Sequence, residues 1–285
     1  MSLLDFDAAP RRYGVMGNPI SHSQSPRIHT LFAAQSGQRI DYQAILVEPG
    51  GLAQAMGNFQ AQGGHGLNIT VPFKQDAWRL VDTRSERAEL AGAVNTVRFE
   101  ADGRLFGDNT DGVGLVRDLE RQAGFAIAGR RLLLLGAGGA VRGVLGPLLA
   151  AAPAAIHIAN RTASRAQALA LQFAHPDVAL SGGGYPELAA LDPFDLIING
   201  TAASLQGELP PLPTHLCLAT SALYDMMYGA RPTPFLAWGE QQGIAYRRDG
   251  LGMLVEQAAL SYQLWHGVAP DTLPVIAQLR AALAA

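Results

Sequence analysis

This chain has almost no cysteine or lysine, no marked excess of either charge, and no long unbroken apolar run. Each lack removes a class of function. The one cysteine, Cys217, excludes a disulfide framework and any paired-cysteine metal or redox site. It stands between Leu216 and Leu218, the setting of a small buried hydrophobe and not of a nucleophile. A net charge of −3 and a sequence pI of 6.1 imply no electropositive face, so no nucleic-acid partner is expected. The most apolar region, 143–158, is interrupted by Pro147 and Pro153 and falls short of the ~20 residues that span a bilayer. The opening residues MSLLDFDAAPRRY carry Asp5 and Asp7 where an export signal needs a basic start and an apolar stretch. The 7 histidines include no HExxH or comparable pair, so no metal site is expected, and His22 and His29 read as loop and packing residues. The expectation is a cytoplasmic globular protein without membrane association.

What is present is apolar content, 48% against 16% charged, in 285 residues. That is far from the composition of disorder. At ~100–200 residues per domain it suggests two domains with sizeable cores. Lysine and arginine together number 21, and Lys74 is the only lysine among them. A coding bias toward arginine accounts for the arginines but less well for the one survivor. Arginine cannot exchange a proton near neutrality, whereas lysine in a suitable setting can, which makes Lys74 a candidate for proton transfer.

Short apolar runs alternate with helix-period segments. Residues 13–16, 42–47, 67–70 and 93–99 read as strands, and 26–36, 52–62 and 112–122 as helices. The alternation continues with strands at 131–135, 155–159 and 194–199 and helices at 139–151 and 163–173. After the proline-rich loop 209–213 come strands at 222–224 and 244–246, a helix at 233–242 and a closing helical stretch from Leu251. Repeated βαβ units imply an α/β protein with parallel sheets covered on both faces.

Three segments carry chemistry. An apolar strand, 132–135, runs straight into Gly136-Ala137-Gly138-Gly139-Ala140 and then a helix. Glycines in such a turn let the backbone approach a pyrophosphate whose charge the helix N-terminus stabilises. The next strand ends in Asn160-Arg161-Thr162, with Ala163, Ser164 and Arg165 opening a helix. A dinucleotide site for NAD usually carries an acidic residue there; guanidinium and hydroxyl groups suit a 2′-phosphate instead, so the expected cofactor is NADP(H). In Gly17-Asn-Pro-Ile-Ser-His-Ser23-Gln-Ser25-Pro26, two hydroxyls precede a helix start, a good receptor for a carboxylate, although either serine also serves as a simple N-cap. Asn68-Ile-Thr70-Val-Pro-Phe-Lys74 sets a strand end before the lone lysine. Asn95 and the turn-rich loop Gly107-Asp-Asn-Thr-Asp111-Gly112 add an amide and a carboxylate, with Asp111 either part of this set or only the N-cap of the helix after it.

The segments GNPISHSQSP, NITVPFK, GAVNTV, GDNTDG, GAGGA, NRT, NGTAAS, YDMMY and DGLGMLVEQAA, in this order from Gly17 to Ala259, resemble the motifs of the shikimate dehydrogenase family. The resemblance implies NADPH-dependent reduction of 3-dehydroshikimate to shikimate, a step of aromatic amino-acid and chorismate biosynthesis. It also implies two lobes: an N-terminal substrate-binding α/β domain, 1–111 with the returning helices 250–285, and a Rossmann-like NADP-binding domain, 112–249. By the same resemblance, Lys74 and Asp111 are the catalytic pair. Ser23 and Ser25 hold the substrate carboxylate, with Thr70, Asn95, Tyr228 and Gln257 as further substrate contacts. Gly136 to Ala140, Asn160 to Arg165, Met226 and Gly250, and more loosely Glu86, belong to the cofactor site. Thr30 stands where the family commonly has Asn. The small-molecule substrate is the only expected partner beyond a homodimer or none. Three rival readings remain open from sequence: a quinate/shikimate dehydrogenase using either nucleotide, a non-catalytic NADP sensor, and a folate or amino-acid dehydrogenase. The last leaves GNPISHSQSP and NITVPFK unexplained.

Overall fold

The computed structural model describes residues 9–201, 203 and 208–284. The acidic opening residues 1–8, and Ala202 and Ser204 of the NGTAAS segment, lie outside them. The chain divides into two compact units, one running to Thr110 and including Gln257–Val275, the other Asp111–Glu256 with the residues from Ile276. These bounds differ from the sequence reading at the second crossing: it falls inside a helix at Glu256/Gln257 and not at the Asp249-Gly250 turn, and the final residues group with the second unit. There, Arg280 donates to the Asp249 carboxylate.

The first unit is built from β1 (Arg11–Gly17), α1 (Ser25–Ser36), β2 (Ile40–Leu46), α2 (Leu52–Ala61), β3 (Gly64–Ile69), α3 (Lys74–Leu80), β4 (Thr83–Arg84), α4 (Glu86–Ala91), β5 (Thr96–Phe99) and β6 (Leu105–Asp108). Its sheet runs β2-β1-β3-β5-β6-β4. The pairs β1·β2 and β1·β3 are parallel, as the βαβ units imply, whereas β3·β5 and β5·β6 are antiparallel, so the parallel pairing expected holds for only part of this sheet. A connection too short to carry a crossover helix, 100–104, forces β6 back alongside β5. The expected strand 93–99 begins only at Thr96, because Val94 and Asn95 spend their N–H groups on the carbonyls of Lys74 and Asp108. Met16, Leu67, Ile69, Phe73 and Val97 form the heart of the core. α1 starts with Pro26 in its first turn and stops at Gly37, whose φ of 65° accepts the left-handed cap that side chains resist.

The second unit continues with α5 (Asp111–Arg117), β7 (Arg131–Leu135), α6 (Gly139–Ala150), β8 (Ala155–Asn160), α7 (Ala163–Gln172), β9 (Ala179–Gly184), β10 (Phe194–Asn199), β11 (Cys217–Asp225), α8 (Pro234–Gln241) and β12 (Tyr246–Asp249). Two last helices are shared: α9 (Leu251–His266) begins in the second unit and belongs to the first from Gln257, and α10 (Leu273–Ala284) begins in the first and belongs to the second from Ile276. All of its strands pair in parallel in the order β12-β11-β10-β7-β8-β9. Leu132 and Leu134 enter one core and Leu133 and Leu135 the other, which is why β7 reads as an unbroken apolar run and not as an alternation. The single helix expected over 112–122 instead ends at Arg117 and passes into a π-helical turn, Asp118–Gln122. The buried Asp118 carboxylate accepts from the Tyr224 hydroxyl at 2.7 Å and from Arg248 Nε at 3.0 Å, and Ala123 N–H reaches back to the Asp118 carbonyl. The strand expected at 244–246 is displaced to Tyr246–Asp249, and that at 222–224 is the end of a longer one. Among the described residues no helix is long and apolar enough to cross a membrane.

Candidate active site

In an open sheet of parallel strands, ligands sit past the carboxyl ends of the strands where the order of connections reverses. In the first unit that point lies between β1 and β3, paired Met16 to Ile69. Gly17 ends β1 there, and a Cβ on it would come within 2.4 Å of Thr70 Cγ2, so glycine lets the two strand ends close up. Asn18 ties the two loops together, its N–H donating to the Val71 carbonyl at 3.0 Å and its side chain to the Val47 carbonyl at 3.1 Å. The loop thus held carries Ser23, whose Oγ accepts the Ser25 N–H at 3.3 Å. Ser25 is buried as the first residue of α1. Thr70 follows β3, half-buried, and Lys74 opens α3, also half-buried. The Lys74 carbonyl accepts from Val94 N–H at 2.8 Å, which binds the start of α3 to the loop bearing Asn95.

Asn95 is buried and saturated. Its amide donates to Thr110 Oγ1 at 2.9 Å and to Gln257 Oε1 at 3.3 Å, and its carbonyl accepts the Thr110 N–H at 2.9 Å. Gln257, far away in sequence, therefore enters this unit from α9. Beneath lies a layer the sequence reading passed over. Asn68 accepts the Tyr42 hydroxyl at 2.7 Å and donates to Ser261 Oγ at 3.0 Å, which in turn pairs with Thr96 Oγ1 at 2.6 Å. Burial raises the Tyr42 phenol well above its ordinary pKa, against a hydrogen bond with Ser25. Asn68 stood inside a quoted motif; Tyr42, a lone aromatic in a strand pattern, gave no signal. Thr30 is exposed, and its hydroxyl donates to the Pro26 carbonyl within α1.

Asp111 directly follows Thr110 and is the first residue of α5 in the second unit, half-buried, where a carboxylate complements the helix dipole. Tyr228 is also in the second unit; burial raises its pKa, and the Asp249 carboxylate raises it further.

The second sheet reverses between β7 and β10, and its glycines cluster there. Gly136 has φ 104°, a conformation for glycine, and a Cβ would lie 3.2 Å from Thr201 Cγ2 and 3.3 Å from the Gly200 carbonyl. Gly138 and Gly139 face open space where α6 begins, and Ala140 is exposed. Ala137 packs partly against the core. At the end of β8, Asn160 donates to the Thr162 carbonyl at 2.9 Å, and Thr162 precedes α7 without any capping bond from its own hydroxyl. Arg161, Thr162, Ser164 and Arg165 are exposed around that helix start, Ala163 half-buried. An open glycine cradle at one helix start, and two guanidiniums with no carboxylate at the next, fit a dinucleotide carrying a 2′-phosphate. Met226 N–H donates to the Asn199 carbonyl at 2.9 Å, and a Cβ on Gly250 would lie 2.2 Å from the Met226 carbonyl oxygen. Asn199 and Asp225 support this corner, with the Thr233 hydroxyl on Asp225 at 2.6 Å. Glu86 is exposed at the start of α4 in the first unit, apart in sequence and unit from the other cofactor candidates. Among the described residues no group of three or more His, Cys, Asp or Glu is arranged to hold a metal.

Known proteins are similar to this chain over nearly its whole length. Residues 15–97 match the shikimate dehydrogenase substrate binding domain, 118–206 the shikimate/quinate 5-dehydrogenase family, and 250–280 the shikimate 5′-dehydrogenase C-terminal domain. A shikimate dehydrogenase (NADP(+)) of Alkalilimnicola ehrlichii is 58% identical over 94% of this chain and 98% of its own. The crystal structure of an Ael1 enzyme from Pseudomonas putida shares 47% identity over 94% of this chain and 98% of that one, with a TM-score of 0.88. Shikimate 5-dehydrogenase from Thermus thermophilus, in complex with NADP(H) and shikimate, is 33% identical over 96% of this chain and all of its own, with a TM-score of 0.84.

Proposed function

The chain belongs to the shikimate dehydrogenase family, and from that premise we propose how its residues carry out the NADP-dependent interconversion of 3-dehydroshikimate and shikimate. Ser23 and Ser25 receive the substrate carboxylate at the start of α1. Thr70, Asn95, Gln257 and Tyr228 bind the ring hydroxyls. Lys74 gives a proton to the oxygen of the carbonyl being reduced and takes it back in the reverse direction. Asp111 orients that ammonium and a substrate hydroxyl. When bound, NADPH supplies the hydride. Gly136 to Ala140 cradle its pyrophosphate, Arg161 and Arg165 with Thr162 take the 2′-phosphate, and Met226 and Gly250 shape the remaining wall. Glu86, by the family resemblance, belongs to the cofactor site as well.

What supports the reading is placement: Ser23, Ser25 and Thr70 follow the two strands at the reversal point of the first sheet, Asn95 accepts the N–H of Ile69 beside it, and the only lysine of the chain opens the helix that follows. We take the enzyme to be cytoplasmic and monomeric or homodimeric; light scattering of the purified chain decides between the two. The test of function is absorbance at the nicotinamide band with shikimate and quinate, each against NADP(+) and NAD(+). Shikimate with NADP(+) is expected to be the productive pair. Equal rates with quinate, or with NAD(+), would favour the dual-specificity reading, and no turnover with any pair would favour a sensor.

A further inference from the structure

Taking the first unit as the substrate-binding one, a premise that rests on the function proposed above, we propose that Arg87 is a positioning residue that clamps the loop 107–111 through Asp108. No motif singled out Arg87, and the hydrogen bonds of its guanidinium go to Asp108, which is not among the residues assigned to substrate.

Asp108 ends β6, and its side chain is only 4% exposed. Its carboxylate is fully engaged. Oδ1 accepts the Ser85 hydroxyl at 2.5 Å, Arg87 Nε at 2.7 Å and its neighbour's N–H, that of Asn109, at 2.7 Å; Oδ2 accepts Arg87 Nη2. The guanidinium thus grips both oxygens, the geometry in which an arginine fixes direction as well as charge. The same short strand end is held by backbone bonds on either side, Ser85 N–H to the Gly107 carbonyl at 2.9 Å and Asn95 N–H to the Asp108 carbonyl at 3.0 Å. Asn109 donates its side chain to the Ala93 carbonyl at 3.0 Å.

The consequence lies one residue further on. Thr110 N–H donates to Asn95 Oδ1 and Asn95 Nδ2 to Thr110 Oγ1, each at 2.9 Å. Asn95 therefore has its orientation set by Thr110, and Thr110 has its place set by how Asp108 and Asn109 are held. Asp111 is the next residue of the chain. Without the guanidinium, a buried carboxylate would lose its counter-charge and turn toward water, carrying the loop with it. Displacement of about 1 Å at positioned groups costs up to ~10²-fold in rate.

Two variants test the clamp. Arg87→Lys keeps the charge but not the two-pronged grip. Arg87→Met with Asp108→Asn removes both charges, so that no bare carboxylate is left to unfold the unit. In both, kcat/KM for shikimate is expected to fall by ~10–10²-fold while KM for NADP(+) and the urea midpoint stay near wild type. A general structural role would instead move the midpoint and both Michaelis constants. Hydrogen–deuterium exchange is read in parallel, without any substrate. The amides of Asn109 and Thr110 should exchange at least ~10-fold faster in both variants, and those of β7 should not change. Unchanged exchange at 109 and 110 in both variants would overturn the clamp. Faster exchange there, with no oxidation of shikimate by the wild type, would leave the clamp standing and overturn the function assigned to the site.

Discussion

Replacing His29 with phenylalanine should flatten the loss of stability between pH 7 and pH 5. His29 is fully buried on α1, stacked on Tyr42 with ring centroids 4.3 Å apart and 8° between planes. Neither ring nitrogen makes a well-formed hydrogen bond among the described residues, the nearby Asn68 side chain being taken by Tyr42 and Ser261. Burial drives its pKa from 6.5 down to about 3, with the neighbouring His266 pushing in the same direction and the Asn68 side chain opposing both. The unfolded chain therefore takes up a proton at this residue as pH falls through 6.5, while the folded chain does not until near 3. Stability from this source is whole above pH 7 and declines as pH drops toward 3. At 1.36 kcal/mol per unit, moving from pH 7 to pH 5 costs about 2 kcal/mol through His29 alone. His266, lowered to about 4 by burial and by Arg11, adds to the decline, less than its shift suggests because it is only half-buried. Phenylalanine keeps the stack on Tyr42 and cannot titrate. Urea unfolding of both proteins at pH 7, 6 and 5 isolates the effect, since carboxylates and His266 contribute to both. The variant should lose about 2 kcal/mol less than wild type over this range. Parallel curves would refute the argument, because they would mean that the native imidazole accepts a proton in this pH range.

Three further outcomes follow from the site and its supports. Lys74→Ala should lower kcat by ~10²–10⁴-fold, the usual yield of positioned proton transfer, and leave shikimate binding measurable by calorimetry. Arg161→Ala should raise KM for NADPH by ~10–10²-fold and barely move KM for NADH; equal changes in steady-state assays would remove it from the 2′-phosphate. Asp118→Ala should cost about 3–5 kcal/mol in urea unfolding, because it strands the Arg248 guanidinium and the Tyr224 hydroxyl that turn the end of α5 into a π-helical turn.

Residues whose proposed part rests on local chemistry are legible without a fold. The glycines at 136, 138 and 139, the arginines at 161 and 165, the serines at 23 and 25 and the solitary Lys74 each declare a conformation or a charge that their neighbours in sequence need. The helix ends before Gly37 and Gly63, both with positive φ, were equally open to reading because a periodic segment precedes each. α4 itself was missed, since six residues are too few to show a period. So were the two-residue β4 and the glycine-rich β9, whose stability comes from the strands beside them. Tyr42 and Ser261 gave no signal, because nothing within ten positions of either reveals the Asn68 amide that both address.

The sequence by itself determined which side chains and turns were available and the class of chemistry they suit, since glycine freedom, helix starts and the identity of an acid, base or amide are properties of a few consecutive residues. Only the tertiary structure decided that β1 lies against β3 and β7 against β10, so that two strand ends far apart along the chain form each crevice. It also decided that part of the first sheet turns antiparallel, that α9 delivers Gln257 to Asn95, and that Arg87 closes on Asp108. Such pairings depend on the shape of the surrounding core and on which buried charge lacks a partner, quantities that no short stretch of chain contains.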